Sequence, residues 1–460
     1  MSTARESNRS FAGLFSGEGL KAQLLRGGAG SVAVKFASTA LTFLLAVILA
    51  RGLGPAGYGV YAYVFALISI LAIPAQFGLP NLLVRETAKA QADRDWPLMN
   101  GLWHWSNTVT AALLVALAAI AGVLAWVFRS HFEASELLAF AWGIVLVSFI
   151  VLGNLRGAAL RGLHRVVAGQ LPDMILRPGL LAGFVLMIAL TLPAGSLTAA
   201  YAMGLHALAA FVAFIVAALI LRASRPDALR DTTKRTYERK AWRRAVFPLA
   251  IMAGMQLIMQ HTDILMLGLF RSAEQVGIYR VVIQGGALVV FGLQAVNMVV
   301  APHFARLHRL GDMVTLQRVA TAGARASLAM ALPVALAFVF FGEFILRGIF
   351  GSPFAAGHVA LAIIAVGQLA NAGAGSVGIL LNMSGNERDT ARGMAIGAIS
   401  NIVLNLILIP PFGMNGAALA TAVSVVFWNG LLWYFAKRRL GVQTHGLGFG
   451  RAGADGSNDR

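Results

Sequence analysis

The chain has 460 residues, of which 58% are hydrophobic and only 12% charged, and its mean hydropathy is +0.74. A soluble domain carries about 25% charged residues, so this composition excludes a soluble enzyme, a coiled coil and a disordered chain. It leaves a polytopic membrane protein, and the absence of cysteine removes disulfides, thiol nucleophiles and thiolate metal sites. The net charge of +18 must be placed relative to the apolar runs before it can be read.

A bilayer core about 30 Å thick needs about 20 apolar residues of helix. Twelve such runs occur, so the predicted fold is all-α, with about 12 transmembrane helices. The first six cover 31–50, 59–79, 102–128, 136–153, 167–191 and 197–221. The second six cover 246–270, 276–302, 319–341, 358–381, 391–409 and 416–436. The first run begins after some 30 polar, Gly-rich residues and continues into 53–61. A cleaved signal peptide has its apolar stretch nearer the start and ends at a small-residue site, so this run reads as a retained span.

The basic residues then fall on one side. With the N-terminus inside, inner segments carry 29 Lys/Arg and outer segments carry four: Arg51, Arg129, Arg271 and Arg347. Four more, Lys35, Arg177, Arg280 and Arg325, fall within the runs. Cytoplasmic loops collect Lys and Arg, so both termini are expected in the cytoplasm. The densest basic stretch, 234–244, reads as a topology anchor facing anionic lipid rather than a nucleic-acid site.

The two halves resemble each other. Gly59-Val60-Tyr61 recurs as Gly277-Ile278-Tyr279, an offset of 218. Phe128-Arg129-Ser130-His131-Phe132 pairs with Phe350-Gly351-Ser352-Pro353-Phe354, Gly162-Leu163-His164-Arg165 with Gly385-Asn386-Glu387-Arg388, and Pro193-Ala194-Gly195 with Pro411-Phe412-Gly413. Each pairing is weak alone, but four in order at similar offsets argue for duplication. Six spans per unit is an even number, so the expected repeats are parallel, related by an axis along the membrane normal, around a central cavity. The expected division is a lobe at 1–221, a basic cytoplasmic linker at 222–245, a second lobe at 246–437 and a cytoplasmic tail at 438–460.

Leu53-Gly54-Pro55-Ala56-Gly57-Tyr58-Gly59-Val60-Tyr61 resembles the turn after the first span of the polysaccharide flippases. Phe77-Gly78-Leu79-Pro80-Asn81-Leu82-Leu83-Val84-Arg85-Glu86 and Gly413-Met414-Asn415-Gly416-Ala417-Ala418-Leu419-Ala420-Thr421 extend the resemblance over nearly the whole chain. It points to the multidrug/oligosaccharidyl-lipid/polysaccharide exporter superfamily. What the resemblance implies is movement of polyprenyl-pyrophosphate-linked glycans across the bacterial cytoplasmic (inner) membrane, through a cationic cavity between two six-helix lobes. Such a carrier serves O-antigen or exopolysaccharide synthesis. The resemblance supplies no side-chain motif for the glycan, so candidate residues come from the polar groups inside the spans.

A charge at mid-bilayer costs about 2.5–3.5 kcal/mol on insertion scales, which makes each such group a functional candidate. Lys35, Ser38, Thr39 and Thr42 share a stripe of the first run, although Lys35 is near the inner end and can snorkel. In the fifth run Asp173 and Arg177 are four apart and so on one face. Arg177 lies 12 residues past Arg165, about 18 Å along a helix, near mid-depth. Pro172 and Pro178 flank the pair and loosen the backbone. Two readings stay open: a self-neutralised structural pair, or a substrate-contacting Arg177 whose fork grips a pyrophosphate.

In the seventh run Gln256, Gln260 and Asp263 share a face, which suggests a wet lumen. Asp263 is the candidate ion or proton carrier, or else a member of an inter-helix hydrogen-bond cluster or a partner of Arg280. Arg280 and Gln284 share a face of the eighth run, Arg280 as cavity cation or interfacial anchor. Asn401 and Asn405 read as packing groups. Tryptophans 96, 103, 105, 126, 428 and 433 lie near span ends, as an interfacial belt does. The candidates are therefore Lys35, Arg177, Arg280, Gln256, Gln260 and Gln284 for substrate, and Asp173 and Asp263 for ion coupling.

No HExxH or P-loop occurs, so neither a metal, a cofactor nor ATP hydrolysis is expected. The longest outer segment, 342–357, holds one carboxylate, Glu343, which argues against a membrane glycosyltransferase or polymerase. The leading reading is a flippase for lipid-linked oligosaccharide. The rival is a carrier of the same build for a peptidoglycan lipid precursor or a cationic drug. Expected partners are the lipid-linked glycan, membrane lipids, a glycan polymerase and glycosyltransferases, and no nucleic acid.

Overall fold

The computed structural model describes residues 20–442 and 444, apart from 128, 132, 192, 194–195 and 231–233. The first 19 residues, most of the predicted tail, and parts of the repeat pairs at 128–132 and 193–195 lie outside the described residues. Among the described residues the structure is built of helices, with no strand.

Among the described residues nine helices are long and apolar enough to cross a membrane, and Ala273–Val289 with Phe291–Leu310, bent by 42°, make a tenth if counted as one span. Two of the nine are double length. Gly30–Leu71 has 42 residues and Glu387–Leu440 has 54. At 1.5 Å per residue these are about 63 and 81 Å, far more than one bilayer core. Each contains one break. Gly54 takes φ +66° and ψ 176° just before Pro55, and Gly413 takes φ +56° and ψ −132° just after Pro410 and Pro411. Only glycine adopts such angles without a Cβ clash, and the residue before a proline is pushed out of the α region. Counted as two runs each, the double helices bring the total to the twelve predicted.

Boundaries shift where prolines and glycines intervene. The second run ends at Leu71 rather than 79, followed by short helices Ile73–Gln76 and Leu79–Ala92, each with a proline in its first turn. The tenth run splits into His358–Ala374 and Val377–Met383 at Gly375, whose φ is +73°.

Packing divides the described chain into two units. One contains residues up to Leu53 with Val64–Ile258; the other contains Gly54–Tyr63 with the residues from Met259 onward. In the first, Ala134–Gly162 packs chiefly on Ala199–Ala223. Leu79, Leu82, Trp103, Leu160 and Trp242 belong to one buried core cluster. Trp103 donates Nε1–H to Thr87 Oγ1 at 3.0 Å, and the Trp105 and Trp242 rings lie 5.3 Å apart. Trp103 and Trp105 are thus core residues, a correction to the belt reading, because helices around them bury both. Part of the basic linker is docked too: Thr236 N–H donates to Pro97 O at 3.0 Å.

In the second unit Met313–Phe350 packs against His358–Ala374 and Phe291–Leu310. Gly54–Tyr63 lies against Ala273–Val289 through a reciprocal contact. A Cβ on Gly59 would stand 1.7 Å from Ala273 O, and one on Gly277 would stand 1.9 Å from Pro55 O.

Candidate functional site

Two polar clusters lie inside the apolar helices, one in each unit. The first is built on the fifth run, which is not one α-helix. Val166–Leu171 is α-helical, Pro172–Leu176 forms a π-turn, and Arg177–Thr191 resumes the α-helix. The Arg177 N–H reaches back five residues to Pro172 O. Pro178 has no N–H to continue the regular ladder, so the extra residue is accommodated here.

Arg177 Nε donates to Asp173 Oδ1 at 2.9 Å. Its Nη1 lies 2.7 Å from His206 Nε2. A guanidinium only donates, so this imidazole nitrogen accepts. His206 is 4% exposed, and its ring stacks on Phe65 at 5.5 Å. The Arg177 side chain is 19% exposed and that of Asp173 is 41%. Asp173, Arg177, Arg161, Gln170 and Asn154 line a cavity of about 70 Å³. Arg161 feels the charge of Asp173, and its buried Nε has no hydrogen-bond partner. Two guanidiniums and one carboxylate leave this cluster cationic. The cavity has room for a few waters but not for a sugar, so it can receive only a small anionic group.

Ser31 Oγ donates to Gln170 Oε1 at 2.9 Å, which holds the first long helix beside this cluster. Lys35, one turn further on, is exposed. No contact brings it to Arg177.

The second cluster surrounds Asp263, which is 9% exposed. Its carboxylate accepts from Asn405 Nδ2 at 2.7 Å, from the Tyr279 hydroxyl at 3.1 Å and from the Thr421 hydroxyl. Asn405 Nδ2 also donates to Asn401 Oδ1 at 3.1 Å, while the buried Asn405 Oδ1 has no partner. Asn401 and Asn405 are therefore part of a polar cage, not packing groups. The partners that hydrogen-bond Asp263 are neutral, whereas Arg280 sits beside the Tyr58 hydroxyl and His261. Arg280 and Gln284 are half-buried one turn apart. Gln256 and Gln260 are exposed, so the polar stripe of the seventh run separates from Asp263, which turns into the second unit.

Among the residues of these clusters that escaped the sequence are Arg161, which was counted only as an inner-loop basic residue, and His206, Tyr279 and Thr421. Tyr279 and Thr421 do lie in the quoted motifs, and the four-residue spacing of Asn401 and Asn405 was a usable signal. His206 offered none, since a lone histidine in an apolar run has no partner visible in sequence.

A family model described as polysaccharide biosynthesis protein matches residues 24–308, and one described as lipid II flippase MurJ matches 179–449. A probable low-salt glycan biosynthesis flippase of Haloferax volcanii, Agl15, is 22% identical over 391 residues, covering 84% of this chain and 77% of the relative. A probable flippase of the same organism, AglR, is 31% identical over 166 residues, 35% of each chain. Among solved structures, a lipid II flippase MurJ in an inward closed conformation has a TM-score of 0.68 at 13% identity, covering 88% of this chain and 87% of that one. An inward-facing multidrug resistance MATE family transporter of the MOP superfamily has a TM-score of 0.67 at 13% identity, covering 88% and 94%. At that identity the structures establish a shared fold. Taken with the all-helical architecture and the two family models, they place the chain: it belongs to the polysaccharide biosynthesis protein family of the multidrug/oligosaccharidyl-lipid/polysaccharide exporter superfamily, as a transporter of flippase type.

Proposed function

We propose that this protein moves a polyprenyl-pyrophosphate-linked oligosaccharide from the inner to the outer leaflet of the cytoplasmic membrane, by alternating access, with both termini in the cytoplasm. The observation that carries the reading is the cationic Arg161–Arg177–Asp173 cluster at the π-turn. A guanidinium fork matches a diphosphate by two parallel hydrogen bonds. The partly exposed Asp173 competes for the same Nε–H, so an arriving phosphate can replace it without stranding a buried carboxylate. The net positive cluster disfavours a cationic drug. The glycan polymerase and glycosyltransferases belong to the same proposal, as does the division into lobes at 1–221 and 246–437.

Ion coupling is assigned to Asp263. Its caging by Thr421, Tyr279, Asn405 and Asn401 gathers hydroxyl and carbonyl oxygens around one carboxylate, a set suited to a hard cation or a proton. Asp173, already held by Arg177, is the weaker of the two proposed coupling residues.

The test is a vesicle assay with a fluorescent lipid-linked oligosaccharide and an imposed ion gradient. Arg177→Ala and Arg161→Ala should lose translocation while still inserting. Asp263→Asn should lose its dependence on the gradient. Full translocation by the Arg161→Ala/Arg177→Ala pair would refute the cluster as the pyrophosphate contact. The match of residues 179–449 to the lipid II flippase model favours one second reading, a peptidoglycan lipid precursor as cargo. That cargo also carries a pyrophosphate, so the same vesicles loaded with each lipid decide between them.

A further inference from the structure

The first unit holds another cavity, of about 310 Å³, apart from the Asp173 cluster. It lies where the start of Trp96–Val127 meets the ends of Ala134–Gly162 and Ala199–Ala223, with Leu229 and Arg235 also on its wall. Three guanidiniums line it: Arg156, Arg225 and Arg235. His104, Asn100 and Asn107 add polar groups, and no carboxylate is among its described lining residues.

Arg156 and Arg225 are close enough to feel each other's positive charge. Each is held by an aromatic face rather than by an acid. Arg156 lies 4.9 Å from the Phe214 ring centroid and donates Nη1–H to Leu152 O at 3.1 Å; Arg225 lies 5.7 Å from the Trp103 centroid. Stacking fixes a guanidinium plane while leaving its edge N–H groups free to donate. Ser106 also lines the cavity. It is 1% exposed, and its Oγ has no hydrogen-bond partner. A buried hydroxyl without a partner is costly and needs one. The remaining wall is apolar, with Leu83, Leu155, Ala159, Ala218 and Leu221.

We propose that this cavity binds the phosphate headgroup of an anionic membrane lipid. Clustered guanidiniums without a carboxylate call for an anion. The apolar wall and the position at the ends of membrane-length helices call for one with an acyl chain, not a free ion. A bound phosphate would join the helix ends to the linker segment through Arg235, holding that segment on the first unit. This site lies outside the proposed glycan contact, and its test needs no glycan.

Full-length protein in mild detergent is stripped of lipid and titrated with phosphatidylglycerol, with phosphatidylcholine of the same chains and with inorganic phosphate, and bound lipid is counted by native mass spectrometry. Phosphatidylglycerol should bind and the other two should not compete. Arg225 and Arg235 are exposed, so Arg225→Gln/Arg235→Gln should fold. It should weaken phosphatidylglycerol about fivefold per arginine, some 25-fold together. Arg156→Lys keeps the charge but loses the stacked plane, and should weaken binding less. Arg347→Gln, at an exposed arginine paired with Glu343 outside the cavity, should change nothing. Equal binding of phosphatidylcholine, equal occupancy by inorganic phosphate, or unchanged affinity in the double variant would each overturn the proposal.

Discussion

The Asp173–Arg177 pair is the point at which structure most changes what a mutation should do. From spacing alone, removing Arg177 strands a buried carboxylate, which costs about 3–5 kcal/mol, and removing both residues restores stability. The geometry reverses this. Asp173 is 41% exposed, so water screens the pair and its coupling should be about 0.3–1 kcal/mol. The buried partner is instead His206, whose Nε2 accepts from Arg177 Nη1 at 2.7 Å and which is 4% exposed. Arg177→Ala removes that buried hydrogen bond from a charged donor, at about 1.5–3 kcal/mol. Asp173→Ala should therefore be nearly neutral, Arg177→Ala clearly destabilising, and the double variant as unstable as Arg177→Ala. Replacing His206 by Leu in the Arg177→Ala background should recover part of the loss, because an apolar side chain takes the place of a buried polar ring that has lost this bond. The assay is denaturant unfolding of the detergent-solubilised protein, run as a double-mutant cycle. A coupling of 3–5 kcal/mol between Asp173 and Arg177, or full rescue by the double variant, would refute the reasoning. Translocation in the same variants separates the roles: Asp173→Ala should retain it and Arg177→Lys should retain only part, since a point charge replaces a fork.

Three further outcomes follow from packing and charge. Gly277→Ala places a Cβ 1.9 Å from Pro55 O and should cost about 1–3 kcal/mol, whereas Gly430→Ala, with nothing within 4 Å, should be neutral; unfolding midpoints compare them. Trp242→Ala empties a site that is 1% exposed and tilted against the Trp105 ring 5.3 Å away, and should destabilise the first unit by about 3–5 kcal/mol, read by faster proteolysis within that unit. The Asp312 carboxyl caps the Met313–Phe350 helix by accepting from Thr315 N–H at 2.9 Å, and that bond holds it below its ordinary value of 3.8. A carboxylate with a lowered folded value stabilises above its unfolded value and loses that contribution as pH falls through the folded one. Asp312→Ala should thus lower stability at pH 7 and match the parent well below pH 3.8, in an unfolding series against pH.

What could be read in sequence was whatever depends on neighbours along one helix. Hydropathy located the apolar runs because the requirement is local: about 20 residues must satisfy their own backbone in lipid. The four-residue step from Asp173 to Arg177 predicted a contact that the structure makes. The partners that complete each cluster are far away in the chain. His206 is 29 residues from Arg177, Asn405 is 142 from Asp263 and Thr421 is 158 from it. No periodicity links such pairs, since helix packing decides them. The same limit explains Gln256 and Gln260. An ideal helix puts them on the face of Asp263, but burial depends on which neighbour covers each turn, and only Asp263 is covered.

The repeated Gly-aliphatic-Tyr motif shows how a weak sequence signal acquires physical meaning. The motif recurs at an offset of 218. In the structure the two copies touch: Gly59 faces Ala273 O, and Gly277 faces Pro55 O. Both partners differ by the same offset, since Pro55 stands to Ala273 as Gly59 stands to Gly277. An exchange in which i meets j and the equivalent of i meets the equivalent of j is what a two-fold contact produces. A side chain at either glycine would collide with backbone, so both copies need glycine for the same steric reason. The recurrence is then no accident of composition in a chain with 50 glycines. It marks two equivalent surfaces of a duplicated element packed on each other.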